Sequence, residues 1–250
     1  MKLIKEILGR LYCLYGLILF VITMLIVVIP IWICSKLPAP AGTIWLHRIF
    51  RIWMGVFMPL VFCPVRHRGW DNFKKGKNYV VVCNHNSFID VPVSSPGIPG
   101  PNKTLAKIEM AKIPVFGLIY RAGSVLVDRK SEKSRRESMN KMIEVLNQGL
   151  HLCLYPEGTR NTTNEPLKSF HDGAFITAIQ AQKPIIPSLI FGTKNILVSG
   201  KKFYAWPHKL EFHFLPEIPT EGLTIRDVTT LKQQVFEVMK AHYVQYEHLA

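Results

Sequence analysis

Acidic side chains are scarce in this chain. Asp and Glu number 17 against 31 Lys and Arg, giving a formal net charge of +14 over 250 residues. That balance favours an anionic partner: nucleic acid, an acidic membrane surface or a phosphorylated substrate. Nucleic acid is the weakest of these, because zinc-finger spacing and aromatic ribonucleoprotein motifs are missing, and none is expected as a partner. C-x-x-C spacing is missing too. Cys13, Cys34, Cys63, Cys83 and Cys153 stand apart, mostly in apolar runs, and read as reduced, buried thiols. There is no P-loop and no serine elbow. Internal repeats and low-complexity tracts are likewise absent.

Charge is also missing locally. Between Arg10 and Lys36 no side chain is charged. As a helix, residues 11–34 would extend about 36 Å, enough to cross a hydrocarbon core of roughly 30 Å. Lys2, Lys5 and Arg10 precede the run, and Ala39-Pro40-Ala41 mimics a signal cleavage site. Signal h-regions are shorter, about 7–15 residues, so a retained anchor is the better reading. A second apolar stretch, residues 44–65, is different. His47, Arg48, Arg51 and Gly55 would share a narrow helical face opposite Trp45, Ile49, Ile52, Trp53 and Phe57. That pattern suits an interfacial helix. The two segments make either a two-pass hairpin or helices that dip into one leaflet. The alternative for the second is burial against the globular part. Basic residues flank the first run on both sides, so charge does not fix the topology.

From about Arg66 short apolar runs alternate with turns. Residues 79–83, 124–127, 151–155 and 184–190 read as buried strands. Between the second and third lies a clear helix. Ser134-x-x-Glu137 has the spacing of a capping box, and Gly149 stands where a C-cap glycine belongs. Strand, helix, strand with short joints makes a βαβ unit, so these two strands should run parallel. A short helix at 174–182 and a last helix at 226–247 follow, and residues 92–101, rich in proline, read as a loop. The expected fold is α/β: a mixed, largely parallel sheet flanked by helices, with an N-terminal membrane-anchoring two-helix segment. Residues 1–64 form the anchor and 65–250 the α/β domain.

The chemistry-bearing residues follow strand ends. Asn84-His85 and Asp90 follow the first strand, Asp128-Arg129 the second, and Pro156-Glu157-Gly158-Thr159-Arg160 the third. In an open parallel sheet, ligands bind at that carboxyl edge. His85 is suited to take a proton near neutral pH, and Asp90 to hold its tautomer. A base without its own nucleophile implies that the substrate brings the hydroxyl. Five-residue spacing demands a turn between the two; Ser87 with Asp90 as a helix cap is the structural alternative. Arg129 and Arg160 match phosphate oxygens. Glu157 would orient Arg160, accept from a substrate hydroxyl or form a plain ion pair, and Gly158 would let backbone approach a ligand or simply serve a turn. Lys107 would add charge, or lie at the surface.

These residues resemble the glycerolipid acyltransferase family, most closely the 1-acylglycerol-3-phosphate acyltransferases, over about residues 65–216. The resemblance rests on Asn84-His85 through Asp90, on Gly123 through Asp128-Arg129, on the complete Pro156 to Arg160 run and on Ile185-Ile186-Pro187. Lys107 and Asp172-Gly173-Ala174-Phe175 are further marks. Asn86 stands where glutamine is frequent, and His171 where lysine is usual. The resemblance implies acyl transfer from a thioester to lysophosphatidate, giving phosphatidate. His85 would be the base and Asp90 its support. Lys107, Arg129, Glu157, Gly158, Thr159 and Arg160 would bind substrate. It implies no metal and no bound cofactor, with acyl-CoA or acyl-acyl-carrier-protein as co-substrate. The lipid bilayer would be a partner, and the active site would face the cytoplasm.

Overall fold

The computed structural model describes residues 2–250. Two helices come first: α1 (Lys2–Cys34) and α2 (Ala41–Leu60). The following chain alternates strands and helices: β1 (Val65–Arg68), β2 (Val80–Cys83), α3 (Asp90–Gly97), β3 (Asn102–Lys107), α4 (Phe116–Gly123) and β4 (Ser124–Val127). Then come α5 (Glu132–Asn147), β5 (His151–Leu154), α6 (Gly173–Gln180), β6 (Ile185–Phe191), α7 (Thr193–Ile196), β7 (Leu210–Phe214) and α8 (Val228–Gln245).

The strands form one mixed sheet in the order β1-β7-β6-β2-β5-β3-β4. β6 pairs antiparallel with β7, and every other ladder is parallel. The expected α/β architecture is present. Side-chain alternation in β2 sorts the two cores. Val80 and Val82 face a layer with Leu146 of α5, Phe175 of α6 and Met239 of α8. Val81 and Cys83 face the opposite layer, with Ile31 of α1, Trp53 and Phe57 of α2, and Ile119 of α4.

α1 and α2 form a hairpin. Phe20 stacks on Trp53 with ring centroids 5.5 Å apart, and Tyr15 donates to the Leu60 carbonyl at 2.9 Å. Among the described residues, α1 is the one helix long and apolar enough to cross a membrane, and only 17% of its most apolar window is buried. A core helix of a soluble domain would bury most of it. α1 nevertheless touches the domain near both ends, at Gly9 against Tyr204 and at fully buried Ile31. α2 divides its apolar surface. Leu46, Trp53 and Phe57 sink under the sheet, while Trp45, Ile52 and Val56 stay exposed. His47 is 5% exposed, so it does not belong to the solvent-facing basic stripe expected from spacing; the sheet-side packing of α2 takes it inward.

Other local expectations change. Residues 92–101 do not form a plain loop, because α3 runs through Pro92 to Gly97. Pro92 lies in the first turn, where no intrahelical N–H bond is lost. The cap of α5 is Ser131, whose hydroxyl accepts from the Ser134 N–H. The Ser134 hydroxyl instead accepts from the Asp128 N–H at 3.0 Å and so ties the end of β4 to α5.

Candidate active site

β2, β5, β3 and β4 are parallel neighbours, so their carboxyl ends open on one edge. β2 delivers Asn84 and His85 there. The Asn84 amide is fully buried and bonds both ways with β6, donating to the Ile190 carbonyl at 3.0 Å and accepting from its N–H at 2.7 Å. That clamp fixes the point at which the chain leaves the sheet.

The turn that follows brings His85 and Asp90 together. His85 Nδ1 lies 2.7 Å from Asp90 Oδ2. The same oxygen accepts from the backbone N–H groups of Asn86 at 2.6 Å and Ser87 at 2.7 Å. Asp90 therefore serves both anticipated roles at once, supporting the histidine and closing the turn at the start of α3. Its other oxygen accepts from the Thr193 hydroxyl at 2.6 Å. Asp90 is fully buried and Thr193 is too. A carboxylate only accepts, so Nδ1 carries a proton, and in the neutral imidazole Nε2 is the nitrogen with the lone pair. The imidazole packs on Tyr155, with centroids 4.5 Å apart, and the Tyr155 hydroxyl lies 2.6 Å from Ser94 Oγ.

Glu157 departs from expectation. Its carboxylate accepts from the His85 N–H at 2.8 Å and from the Lys168 N–H at 3.0 Å, and the residue is 2% exposed. Burial pushes its carboxyl up from the usual range, opposed by these two backbone donors. It neither orients Arg160 nor faces a substrate hydroxyl; it is a buried clamp between the first and third motif loops. Asn161 adds a second tie, its N–H donating to the His85 carbonyl at 2.6 Å.

Gly158 has φ +69°, and a Cβ there would run into the His171 ring. The glycine is thus required by the turn and by a neighbouring side chain. Arg129 donates to the Gly158 carbonyl, joining the β4 loop to the third motif. The Thr159 hydroxyl accepts from Lys168 Nζ at 2.6 Å. The Arg160 guanidinium lies 3.8 Å from the Phe88 ring centroid. Lys107 is exposed at the end of β3 and pairs with Glu109 at 3.2 Å.

One cavity of about 1370 Å³ gathers most of these groups. His85, Lys107, Arg129, Gly158, Thr159 and Arg160 line it; Asp90 and Glu157 lie behind its wall. Tyr12, Phe20, Trp53 and Phe57 of the helical hairpin line it as well. Cationic loops and a long apolar wall thus share one space with the His85 ring. Spacing alone missed Thr193, Tyr155, Phe88 and Lys168. Phe88 and Tyr155 lie within or beside recognised motifs and were within reach; Thr193 lies far along the chain and carries no local signal.

The Acyltransferase family profile matches residues 64–190. A human 1-acyl-sn-glycerol-3-phosphate acyltransferase alpha is 33% identical over 75% of this chain and 66% of its own length. The matched part spans 60–66% of the mammalian alpha relatives. The 1-acyl-sn-glycerol-3-phosphate acyltransferase of Haemophilus influenzae is 26% identical over 86% of this chain and 92% of its length. The crystal structure of the 1-acyl-sn-glycerophosphate acyltransferase PlsC from Thermotoga maritima shares the fold, with a TM-score of 0.79 at 22% identity over 99% of this chain and 98% of that one. With the profile matched across half of its length and all three motifs at one sheet edge, this chain belongs to the acyltransferase family.

Proposed function

We propose that this chain transfers an acyl group from a thioester to the free hydroxyl of lysophosphatidate, producing phosphatidate. The observation that carries the reading is the His85–Asp90 pair, with Nε2 left free, beside a cavity holding both arginines and an apolar wall. The names of the relatives support the acceptor.

In this reading His85 Nε2 takes the hydroxyl proton as the acceptor oxygen attacks the thioester carbonyl. The C–S bond breaks, and the imidazolium returns its proton to the leaving thiolate. Asp90, held by Asn86, Ser87 and Thr193, stabilises the imidazolium without moving. Arg129 and Arg160 hold the acceptor phosphate, with Lys168 and Thr159 beside them. Lys107, already paired with Glu109, adds a weaker field. Acyl-CoA or acyl-acyl-carrier-protein enters as co-substrate, and no acyl-enzyme forms.

The enzyme works at the bilayer, where acceptor and product reside. Contacts at both ends of α1 favour the arrangement in which the hairpin dips into one leaflet and lies along the domain. The catalytic edge faces the cytoplasm, where acyl thioesters are made.

A matrix of donors and acceptors with purified protein tests the reading. Phosphatidate from lysophosphatidate, with phosphate-free lyso-lipids poorly used, supports it. Equal use of phosphate-free acceptors would reassign the substrate. Free fatty acid without a lipid product would make the protein a hydrolase.

A further inference from the structure

The segment between α7 and β7 carries none of the catalytic groups and clasps the start of α1. The Ala205 N–H donates to the Gly9 carbonyl at 3.1 Å. The Tyr204 ring lies against Gly9, leaving no room there for a Cβ. Lys201 pairs with Glu6 and sits 4.2 Å from the Tyr204 ring centroid. Lys5 lies 5.4 Å from the Trp206 centroid. These contacts hold the segment just before Arg10, the last charge ahead of the apolar run.

What the segment turns outward is unusual for a plain connection. Phe203 is 50% exposed, and its φ is +49°. A bulky residue in the left-handed region, with half its surface uncovered, is not explained by packing within the chain. Exposed Lys201 and Lys202 precede it. The first turns of α1 expose Leu3, Ile4, Ile7 and Leu8 on the face opposite Gly9, together with Lys2 and Lys5. Exposed aromatic, aliphatic and ammonium groups gathered at the same end of α1 match the chemistry of a headgroup boundary. Glu6 is the carboxylate at this end of α1, and Lys201 neutralises it.

We propose that residues 201–206 are a second membrane contact: a collar that rests on anionic headgroups, with Phe203 dipping beneath them and Lys202 on the phosphates. The proposal depends on the reading of α1 as a membrane helix. It extends a lipid surface from α1 onto the catalytic domain itself. Ala205 of the collar also lines the catalytic cavity, with Ile196 and Leu197 just before the collar, so the collar holds that part of the cavity wall near headgroup level.

The test uses the full chain in lipid nanodiscs, with a fluorescent thiol label at Phe203→Cys. Cys13, the least buried of the five cysteines, is replaced by serine. Nitroxide-bearing lipid is the quencher. The label is expected to lose most of its fluorescence, more so in phosphatidylglycerol than in phosphatidylcholine, and Lys202→Glu is expected to abolish that difference. A label at Ile18→Cys, on the exposed face of α1, is the control. Quenching at position 18 without quenching at 203 overturns the collar and leaves the membrane reading standing. No quenching at either position overturns both. Equal quenching at 203 in the two lipids overturns the role of charge.

Discussion

Asp90 Oδ2 collects three donors within 2.7 Å: His85 Nδ1 and the N–H groups of Asn86 and Ser87. One oxygen therefore both closes the turn and sets the histidine tautomer. The five-residue spacing works because the backbone between the two residues folds around that oxygen before α3 begins.

This geometry predicts the behaviour of Asp90→Asn. An amide in that place can donate to Nδ1 and drive the proton to Nε2, which removes the base. In a comparable arrangement this substitution costs about 10⁴-fold in kcat. We expect a loss on the order of 10²–10⁴ in kcat, with a smaller effect on KM for either substrate. Thr193→Val, which removes one donor to the other oxygen, should lower kcat about tenfold or less and leave acceptor KM unchanged. Steady-state kinetics on purified variants read both.

Glu157→Gln separates a clamp from a substrate ligand. A glutamine keeps one acceptor and turns an NH2 toward a backbone N–H. Leaving a buried donor unsatisfied costs about 1–3 kcal/mol. The expected result is a lower melting temperature and reduced kcat, with acceptor and donor KM shifted alike. A rise confined to acceptor KM would return Glu157 to the substrate.

Phe88 should matter through Arg160. With the guanidinium 3.8 Å from its ring centroid, the aromatic face fixes the cation while leaving its N–H edges for phosphate. Arg160→Ala is expected to raise the KM for lysophosphatidate at least about tenfold more than that for the thioester, the scale of one charge-assisted contact. Phe88→Leu should give a smaller rise of the same selectivity, and Phe88→Tyr should restore it. Comparison of the two KM values for each variant is the check.

Stability should fall in mild acid. Burial lowers His151 and His67 from 6.5 to about 4. His151 Nδ1 accepts from the Tyr79 N–H at 3.1 Å, which requires the unprotonated nitrogen. Below 6.5 the unfolded chain binds protons that these folded histidines refuse, so the unfolded state gains. Their contribution is complete above pH 6.5 and is lost as pH falls toward about 4. Thermal melts should be level from pH 8 to 7 and drop between about 6.5 and 4. His151→Gln should flatten part of that slope.

Much of the fold could be read from the residues because its central strands are continuous apolar runs. β2, β5 and β6 are buried along their whole length. The strands missed are β1, Val-Arg-His-Arg, and β3, Asn-Lys-Thr-Leu-Ala-Lys, in which more and less covered positions alternate. β7 was missed as well, since Leu-Glu-Phe-His-Phe hides a charge and a histidine among apolar residues. Such strands become evident only once their neighbours exist. In the site, His85, Asp90 and both arginines follow strand ends and were anticipated. Glu157 lies behind the cavity wall, a position hidden from the sequence, which reports a carboxylate but not the backbone donors that meet it. Thr193 reaches Asp90 across the sheet from beyond β6, a relationship that only the strand order creates.

The proposed transfer turns on His85 Nε2 removing a proton from the acceptor hydroxyl. Its most direct test is single-turnover acyl transfer to lysophosphatidate by His85→Ala, beside thermal melting of the same variant. A rate lower by at least about 10²-fold in a variant that still melts cooperatively is expected, the usual scale of general-base removal. Transfer at the unmodified rate by a folded His85→Ala protein would contradict it.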